Sequence, residues 1–406
     1  MALSALTFMR GALLSFVARR AFLGAVKRIK LGKLTVEFPD GSTKLFDSGN
    51  PGPDAVLQVR SNDFYQGVIF HGEVGFGEAY QSGACDSPGL VDLIALALVN
   101  RRTVDLNSGP IRLLSRKRNI RMHQARENTL EKSKENIHEH YDLGNDFFHL
   151  FLDETLTYSS AFFERPDQDL ADAQRAKYRR LCEMGGIGVD HHVLEIGTGW
   201  GGFAIHAAST YGCHITTITI SQEQHTLATQ RVKDAGLDHL IDVRLVDYRD
   251  VEGEYDQIVS IEMFEAVGSE YFETFFQKCA DILKPRGRLV MQVITVPDRD
   301  YAAQRDGVNW IQKYIFPGGV LPSVAEMERC NARTGLVLDS SEDIGEHYAT
   351  TLHQWRDRFW QRIDEVRNQG YDEHFVRTWD YYLGICEAGF LTHNTGDAQL
   401  AFNKVD

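Results

Sequence analysis

The chain has 406 residues, enough for two domains, and its 43% hydrophobic and 25% charged residues are ordinary for a soluble globular protein. A net charge of −14 argues against nucleic acid as a general partner, and no apolar run reaches the roughly 18 residues that span a bilayer. The six cysteines (Cys85, Cys182, Cys213, Cys279, Cys330 and Cys386) include no C-x-x-C pair, which suggests neither a disulfide framework nor a metal site and fits a reducing cytoplasm.

Residues 1–36 carry Arg10, Arg19, Arg20, Lys27, Arg28, Lys30 and Lys33, with no acid before Glu37. Arginines interrupt the apolar stretch and no A-x-A site closes it, so a basic amphipathic helix lying on an anionic membrane fits better than a signal peptide. A plain solvated terminal helix is the alternative. A strand followed by a turn is expected over 34–41 and a second strand over 55–60, then a glycine-spaced segment at 72–80 and an apolar helix over 89–101, which together make a small α+β domain. A charged, partly helical connector spans 110–135, with a second basic run at Arg112, Arg116, Lys117, Arg118, Arg121 and Arg126. The division expected is a domain over 1–125 and a larger one over 126–406.

In the larger domain a helix over 171–184 leads into Val193-Leu-Glu-Ile-Gly-Thr-Gly-Trp-Gly-Gly202. Apolar Val193, Leu194 and Ile196 suit a buried parallel strand, and Gly197 and Gly199 let the backbone approach a ligand. A helix entered at Gly201 would aim free N–H groups at the same place. The dinucleotide fingerprint wants G-x-G-x-x-G and an acid about 20 residues on. Here the order is G-x-G-x-G-G and the second strand, 213–220, runs into Ser221-Gln-Glu-Gln224, so a nicotinamide is disfavoured. The arrangement fits the methyltransferase variant of the doubly wound fold, with S-adenosylmethionine across the strand ends. Further strands are expected over 241–246, 256–260 and 288–295 and a helix over 269–283, before the aromatic segment 310–319 interrupts the pattern.

Jointly, Tyr141-Asp-Leu-Gly-Asn-Asp146, Thr157-Tyr-Ser159, Leu194 to Gly202, Thr219-Ile-Ser221 with Gln224, Met263-Phe-Glu265, Tyr314 to Ser323 and His347-Tyr-Ala-Thr-Thr-Leu352 resemble the cyclopropane fatty acid synthases and mycolic acid methyltransferases. The likeness runs from about Asn136 to the C-terminus, and the region 72–80 resembles the small lipid-engaging domain of the bacterial phospholipid enzymes. The resemblance implies an α/β, Rossmann-like class I methyltransferase with a small N-terminal α+β lipid-engaging domain. It also implies C-methylation of the double bond of an unsaturated phospholipid acyl chain. By matching motif, the cofactor contacts implied are Tyr158, Ser159, Gly197, Gly199, Thr219, Ile220, Gln224, Tyr248 and Ile261.

The implied chemistry leaves a carbocation on the acyl chain, which must be stabilised and then lose a proton to a base. Phe264, Tyr314 and Tyr348 are candidates for cation–π stabilisation, with core packing as the alternative for each. In cyclopropane synthases the base resembles a bicarbonate held by a cysteine, a glutamate, a histidine on the fifth strand, a tyrosine and a backbone group. Here Glu265, Tyr348 and Ile294 match, but Ser160 stands at the cysteine and Gln292 at the histidine, which puts bicarbonate in doubt.

Most of the family carries glycine where this chain has Glu262, and a glutamate there resembles the hydroxymycolate synthase and the methyltransferases that make mid-chain branches. Glu262 and Glu265 lie i, i+3, so on a helical turn both carboxylates would point to one side, and Glu262 is expected to replace bicarbonate as the base. The alternatives are a Glu262 that points outward, a true cyclopropane synthase, and a lipid-binding scaffold with a vestigial cofactor fold. The expected partner is unsaturated phospholipid, reached from the cytoplasm at the inner leaflet. The resemblance also suggests a homodimer and a reductase acting on the product.

Overall fold

The computed structural model describes residues 2–104 and 143–405, so the expected connector 110–135 with its basic run, and Tyr141 and Asp142, lie outside the described residues. Two compact units emerge: 1–122 with 307–315 and 367–394, and 123–306 with 316–366 and 395–406. A single division near residue 125 assigns both returning segments to the second domain. Their aromatic residues instead pack with the first unit.

In the first unit, β1 (Lys33–Glu37), β2 (Thr43–Asp47), β3 (Asp54–Val59) and β4 (Cys85–Asp86) form a sheet in the order β2-β1-β3-β4, with β1 and β3 parallel. The glycine-spaced segment 72–80 lies inside the helical stretch Asp63–Gln81, which turns back at Gly72 with φ 58° and ψ −130°. That conformation is closed to a residue with a Cβ, and it explains why the segment looks irregular in sequence. The turn sets Gly67 against Gly75 so closely that a Cβ on Gly75 would lie 2.0 Å from the Gly67 carbonyl oxygen. Gly77 likewise leaves room for the Trp310 ring, whose indole N–H donates to Gln81 at 3.0 Å. From the helix Glu373–Leu391, Asp380 accepts a 2.7 Å hydrogen bond from the Tyr80 hydroxyl.

The N-terminal helix Ala2–Val26 packs through Phe22 on Phe64 and Tyr65, with ring centroids 5.2 and 5.7 Å away. Ala18, Phe22, Ala25 and Val26 are buried, whereas Leu14, Phe16 and Val17 are exposed. Apolar residues therefore occupy more than one side, and the helix is not the two-faced amphipathic element expected. Among the described residues no helix is long and apolar enough to cross a membrane.

The second unit is built on a seven-stranded sheet of β5 (His192–Ile196), β6 (His214–Thr219), β7 (Ile241–Leu245), β8 (Tyr255–Ile261), β9 (Leu283–Thr295), β10 (Leu336–Asp343) and β11 (Gly396–Lys404), ordered β10-β11-β9-β8-β5-β6-β7. The five expected strands are present and mutually parallel, as expected for a Rossmann-like class I methyltransferase fold. The final two add an antiparallel edge, with β11 threaded between β9 and β10. One face is packed by Phe264, Phe272, Phe275 and Phe276, the other by Tyr178, Leu181, Phe203 and Ala204. Strand order reverses at β5, with β6 on one side and β8 on the other, so the carboxyl ends of these strands open a crevice where ligands of such sheets bind.

Gly75→Ala is expected to destabilise the first unit by about 1–3 kcal/mol or more, because the new methyl meets backbone that cannot move aside. Urea unfolding followed by tryptophan fluorescence reads this, and an unchanged midpoint contradicts the close helix crossing.

Candidate active site

The loop after β5 is a run of positive φ angles, 103° at Gly197, 51° at Gly199 and 84° at Gly201. The amides of Gly197 and Thr198 both donate to the Ile218 carbonyl at 3.0 Å, fixing the loop on β6. A Cβ on Gly197 would come within 3.1 Å of Met263, whereas one on Gly199 would meet nothing within 4 Å. Protein packing therefore accounts for the first glycine, and open space over the loop is left at the second. Beneath it, Thr217 Oγ1 lies 2.5 Å from the buried Glu195 carboxylate and 2.8 Å from Thr198 Oγ1.

At the end of β6, Thr219 Oγ1 donates to Gln224 Oε1 at 2.8 Å, and Ser221 caps the helix Gln222–Asp234. Ile220 and Ile261 are half-buried at the ends of β6 and β8, beside the loop. Tyr248, after β7, is buried with no partner for its hydroxyl among the described residues, and burial raises its pKa. Tyr158 stacks on Trp355 with centroids 5.3 Å apart, and Ser159 Oγ accepts from Lys177 Nζ at 2.6 Å. Open space at Gly199, the hydroxyl of Tyr248 and the polar pair Thr219–Gln224 suit an elongated polar ligand, and an S-adenosylmethionine-sized molecule fits these residue types. Among the described residues no group of His, Cys, Asp and Glu would hold a metal.

The carboxylates lie where β8 and β9 end. Glu262 has φ 48°, a conformation that costs a non-glycine residue about 1–3 kcal/mol and persists only when its surroundings impose it. They do so here. Its amide donates to the Gln292 carbonyl at 2.7 Å. Its Oε1 accepts from the Ser160 amide and from Gln292 Nε2, both at 2.8 Å, and its Oε2 accepts from the Tyr348 hydroxyl at 2.7 Å. Glu262 therefore points inward.

Glu265, in the short turn Phe264–Ala266, accepts from the Ile294 amide, and its second oxygen has no partner among the described residues. The two glutamates do not share a helical turn as expected, because Glu262 is left-handed and the turn begins only after it. They are nevertheless electrostatic neighbours. Burial and then the Glu262 charge push the Glu265 carboxyl up to about 8. Burial raises Glu262 too, against the Lys177 charge and the donors Ser160, Tyr348 and Gln292.

Ser160 enters through its backbone, since its hydroxyl donates to the Ala161 carbonyl at 3.0 Å. The donors that converge here are spent on Glu262, so the residues present do not fit a separate bicarbonate ion at the same point. Of the aromatic candidates, only Tyr348 touches the carboxylates. Phe264 is fully buried and stacked on Phe272 at 4.3 Å, and Tyr314 donates to Glu78 in the first unit at 2.7 Å.

Two residues that the sequence does not single out flank this cluster, Asp397 through Gln292 and Lys177 through Ser159. Lys177 is fully buried in the helix Leu170–Gly185, and Asp397 on β11 accepts from Gln292 Nε2 at 3.1 Å. A lysine in step with Leu170, Ala173 and Leu181 on the apolar stripe of that helix is a visible signal; Asp397, on an unforeseen strand, leaves none.

Known proteins resemble this chain over most of its length. A family model described as mycolic acid cyclopropane synthetase matches residues 128–400. The tuberculostearic acid methyltransferase UfaA1 of Mycobacterium tuberculosis is 42% identical over 376 residues, covering 88% of this chain and 84% of that protein. The cyclopropane-fatty-acyl-phospholipid synthase of Escherichia coli K12 is 34% identical over 360 residues, covering 87% and 89%. Among solved structures, the mycolic acid cyclopropane synthase CmaA1 complexed with SAH and CTAB superposes with a TM-score of 0.62 at 29% identity, over 67% of this chain and 98% of that one.

Gly199→Ala puts a methyl into the open space over the loop and is expected to leave the fold intact while weakening S-adenosylhomocysteine binding about tenfold or more, counting roughly 1–2 kcal/mol for left-handed strain and contact. Calorimetric titration measures it, and wild-type affinity would place the ligand elsewhere.

Proposed function

The chain belongs to the mycolic acid cyclopropane synthetase family of S-adenosylmethionine-dependent lipid-modifying enzymes, and from that premise we propose that it methylates the double bond of an unsaturated phospholipid acyl chain to leave a methyl or methylene branch. The observation that carries this reading is the Glu262 carboxylate, half-buried just past the carboxyl end of β8 and held by three donors. S-adenosylmethionine supplies the electrophilic methyl group. The protein supplies negative charge facing the cationic carbon, and a base.

Glu262 fills both roles. As a fixed carboxylate in a water-poor site it stabilises positive charge without having to reorient. Its raised pKa makes it a better proton acceptor than an exposed carboxylate. Tyr348 and the Ser160 amide keep the carboxylate aimed, and Glu265, predominantly neutral below about 8, leaves Glu262 as the main negative charge. With a carboxylate in the chain itself, no bicarbonate is required. The relative that is a tuberculostearic acid methyltransferase supports a branched product, and the cyclopropane synthases in the family keep ring closure as the competing outcome.

Access to acyl chains requires a membrane surface. Exposed Leu14, Phe16 and Val17, with exposed Arg20 on the same helix and Lys27 and Arg28 just beyond it, support peripheral docking on an anionic cytoplasmic leaflet, each cation contributing about 1 kcal/mol.

Glu262→Gln is expected to lower turnover on cis-unsaturated phospholipid vesicles by about 10²-fold or more while S-adenosylmethionine still binds in calorimetry. Near wild-type turnover sinks Glu262 as the base. With deuteriomethyl cofactor, a product retaining three deuterons is an internal methyl alkene. Retention of two with olefinic carbon and deuterium signals marks a methylene branch, and two without them marks a cyclopropane and contradicts the branched product.

A further inference from the structure

Three carboxyls gather at the ends of β8 and β11, and a buried lysine reaches Ser159, the neighbour of the Ser160 amide that donates to Glu262. Lys177 is fully buried on the helix Leu170–Gly185, and its ammonium donates to Ser159 Oγ at 2.6 Å. Glu262 and Asp397 are bridged by one amide group, Gln292 Nε2, which lies 2.8 Å from Glu262 Oε1, 3.1 Å from Asp397 Oδ2 and 3.3 Å from the Ser160 carbonyl. Glu265 completes the set from the turn after β8. The Gln292 amide is itself oriented by Gln399, whose Nε2 donates to its Oε1 at 3.0 Å. Both Gln399 and Asp397 come from β11, which pairs with β9 opposite Gln292 and Ile294.

We propose that Lys177 is a positioning residue for Glu262, its buried ammonium holding that carboxylate in the charged form while Asp397, tied to the same Gln292 amide, stays neutral. The proposal rests on the reading of Glu262 as the base and adds what keeps that base ready. The allocation comes from the donors. Glu262 accepts from the Ser160 amide, Gln292 and Tyr348, whereas among the described residues the Asp397 carboxyl accepts from the shared Gln292 amide on Oδ2 and has no partner on Oδ1.

A half-buried carboxyl and a fully buried one joined through one amide cannot both ionise cheaply, so the better-solvated one takes the charge. Burial, then the charge of Glu262, holds Asp397 well above the ordinary carboxylate range. Lys177 is lowered to about 8 by burial, against the pull of Glu262, Asp397, Asp153 and Glu195, so it still carries its proton near neutrality. The groups facing Glu262 are thus Lys177 from its helix, Tyr348 from the helix Gly345–Gln361, Glu265 from the turn and Asp397 from β11, with Asp343 on β10 beyond Asp397.

A base that must be ionised loses activity as pH falls through its pKa. Removing the ammonium raises that pKa, so the acid limb of kcat moves to higher pH. Lys177→Met in the full-length enzyme, assayed on cis-unsaturated phospholipid vesicles, is expected to shift the limb upward by about one pH unit or more. Asp397→Asn is expected to leave the limb in place, since an amide resembles the neutral acid. An unmoved limb in Lys177→Met overturns the proposal, because a lysine that merely ties down the Ser159 loop alters stability or cofactor affinity and not the pH profile. A downward shift of a unit in Asp397→Asn overturns it as well, since Asp397 then carried charge.

The coupling is reciprocal, which provides a reading should Lys177→Met fail to fold. In Glu262→Gln protein, lysine-selective NMR is expected to show Lys177 titrating below its wild-type value, and an unchanged titration contradicts the pairing. This signal is independent of turnover. Retained activity in Glu262→Gln would reject Glu262 as base while the NMR shift still reports the pair.

Discussion

Everything distinctive about this enzyme depends on one strained glutamate. Glu262 sits in left-handed backbone immediately after β8, and that conformation carries its carboxylate onto the donors of Ser160, Gln292 and Tyr348. Hydrogen bonds to a charged group contribute about 1.5–3 kcal/mol each, enough to offset backbone strain of about 1–3 kcal/mol. The donors come from three separate parts of the fold: the loop before the helix Leu170–Gly185, β9, and the helix Gly345–Gln361. The carboxylate is therefore a point at which the second unit is knitted together as well as a chemical group.

The sheet explains why these groups converge. Strand order reverses at β5, which opens the crevice at the carboxyl ends of β5, β8 and β9 and leaves the glycine loop and the carboxylates as neighbours across Gly197 and Met263. The antiparallel addition of β11 then brings Asp397 and Gln399 beside Gln292. A glutamine can bridge two carboxyls and be oriented by a third side chain without adding charge of its own. A histidine there would bring a titrating group into a space already holding three acids and a lysine.

Much of this is legible in the chain. The strand–glycine–helix pattern from Val193 to Gly202 identifies the doubly wound sheet, because hydrophobic periodicity and left-handed glycines are local properties. Ser160, Glu262 and Gln292 stand out as departures from a family pattern, and the structure brings all three together, although Ser160 contributes its amide and not its hydroxyl. What sequence does not reveal depends on distance along the chain. β10 is a largely exposed edge strand and β11 is buried by its pairing between β9 and β10, a placement no local pattern announces, and Asp397 is hidden with it. The return of 307–315 and 367–394 to the first unit is likewise set by packing on Gly77 and Tyr80, more than two hundred residues away.

The central claim is that the chain carries its own base in Glu262 in place of a bound ion. The most direct measurement is turnover on cis-unsaturated phospholipid in carbon-dioxide-free buffer, with and without added bicarbonate. Equal rates in the two buffers are the predicted result. A rate that collapses without bicarbonate and returns when it is added would contradict the account.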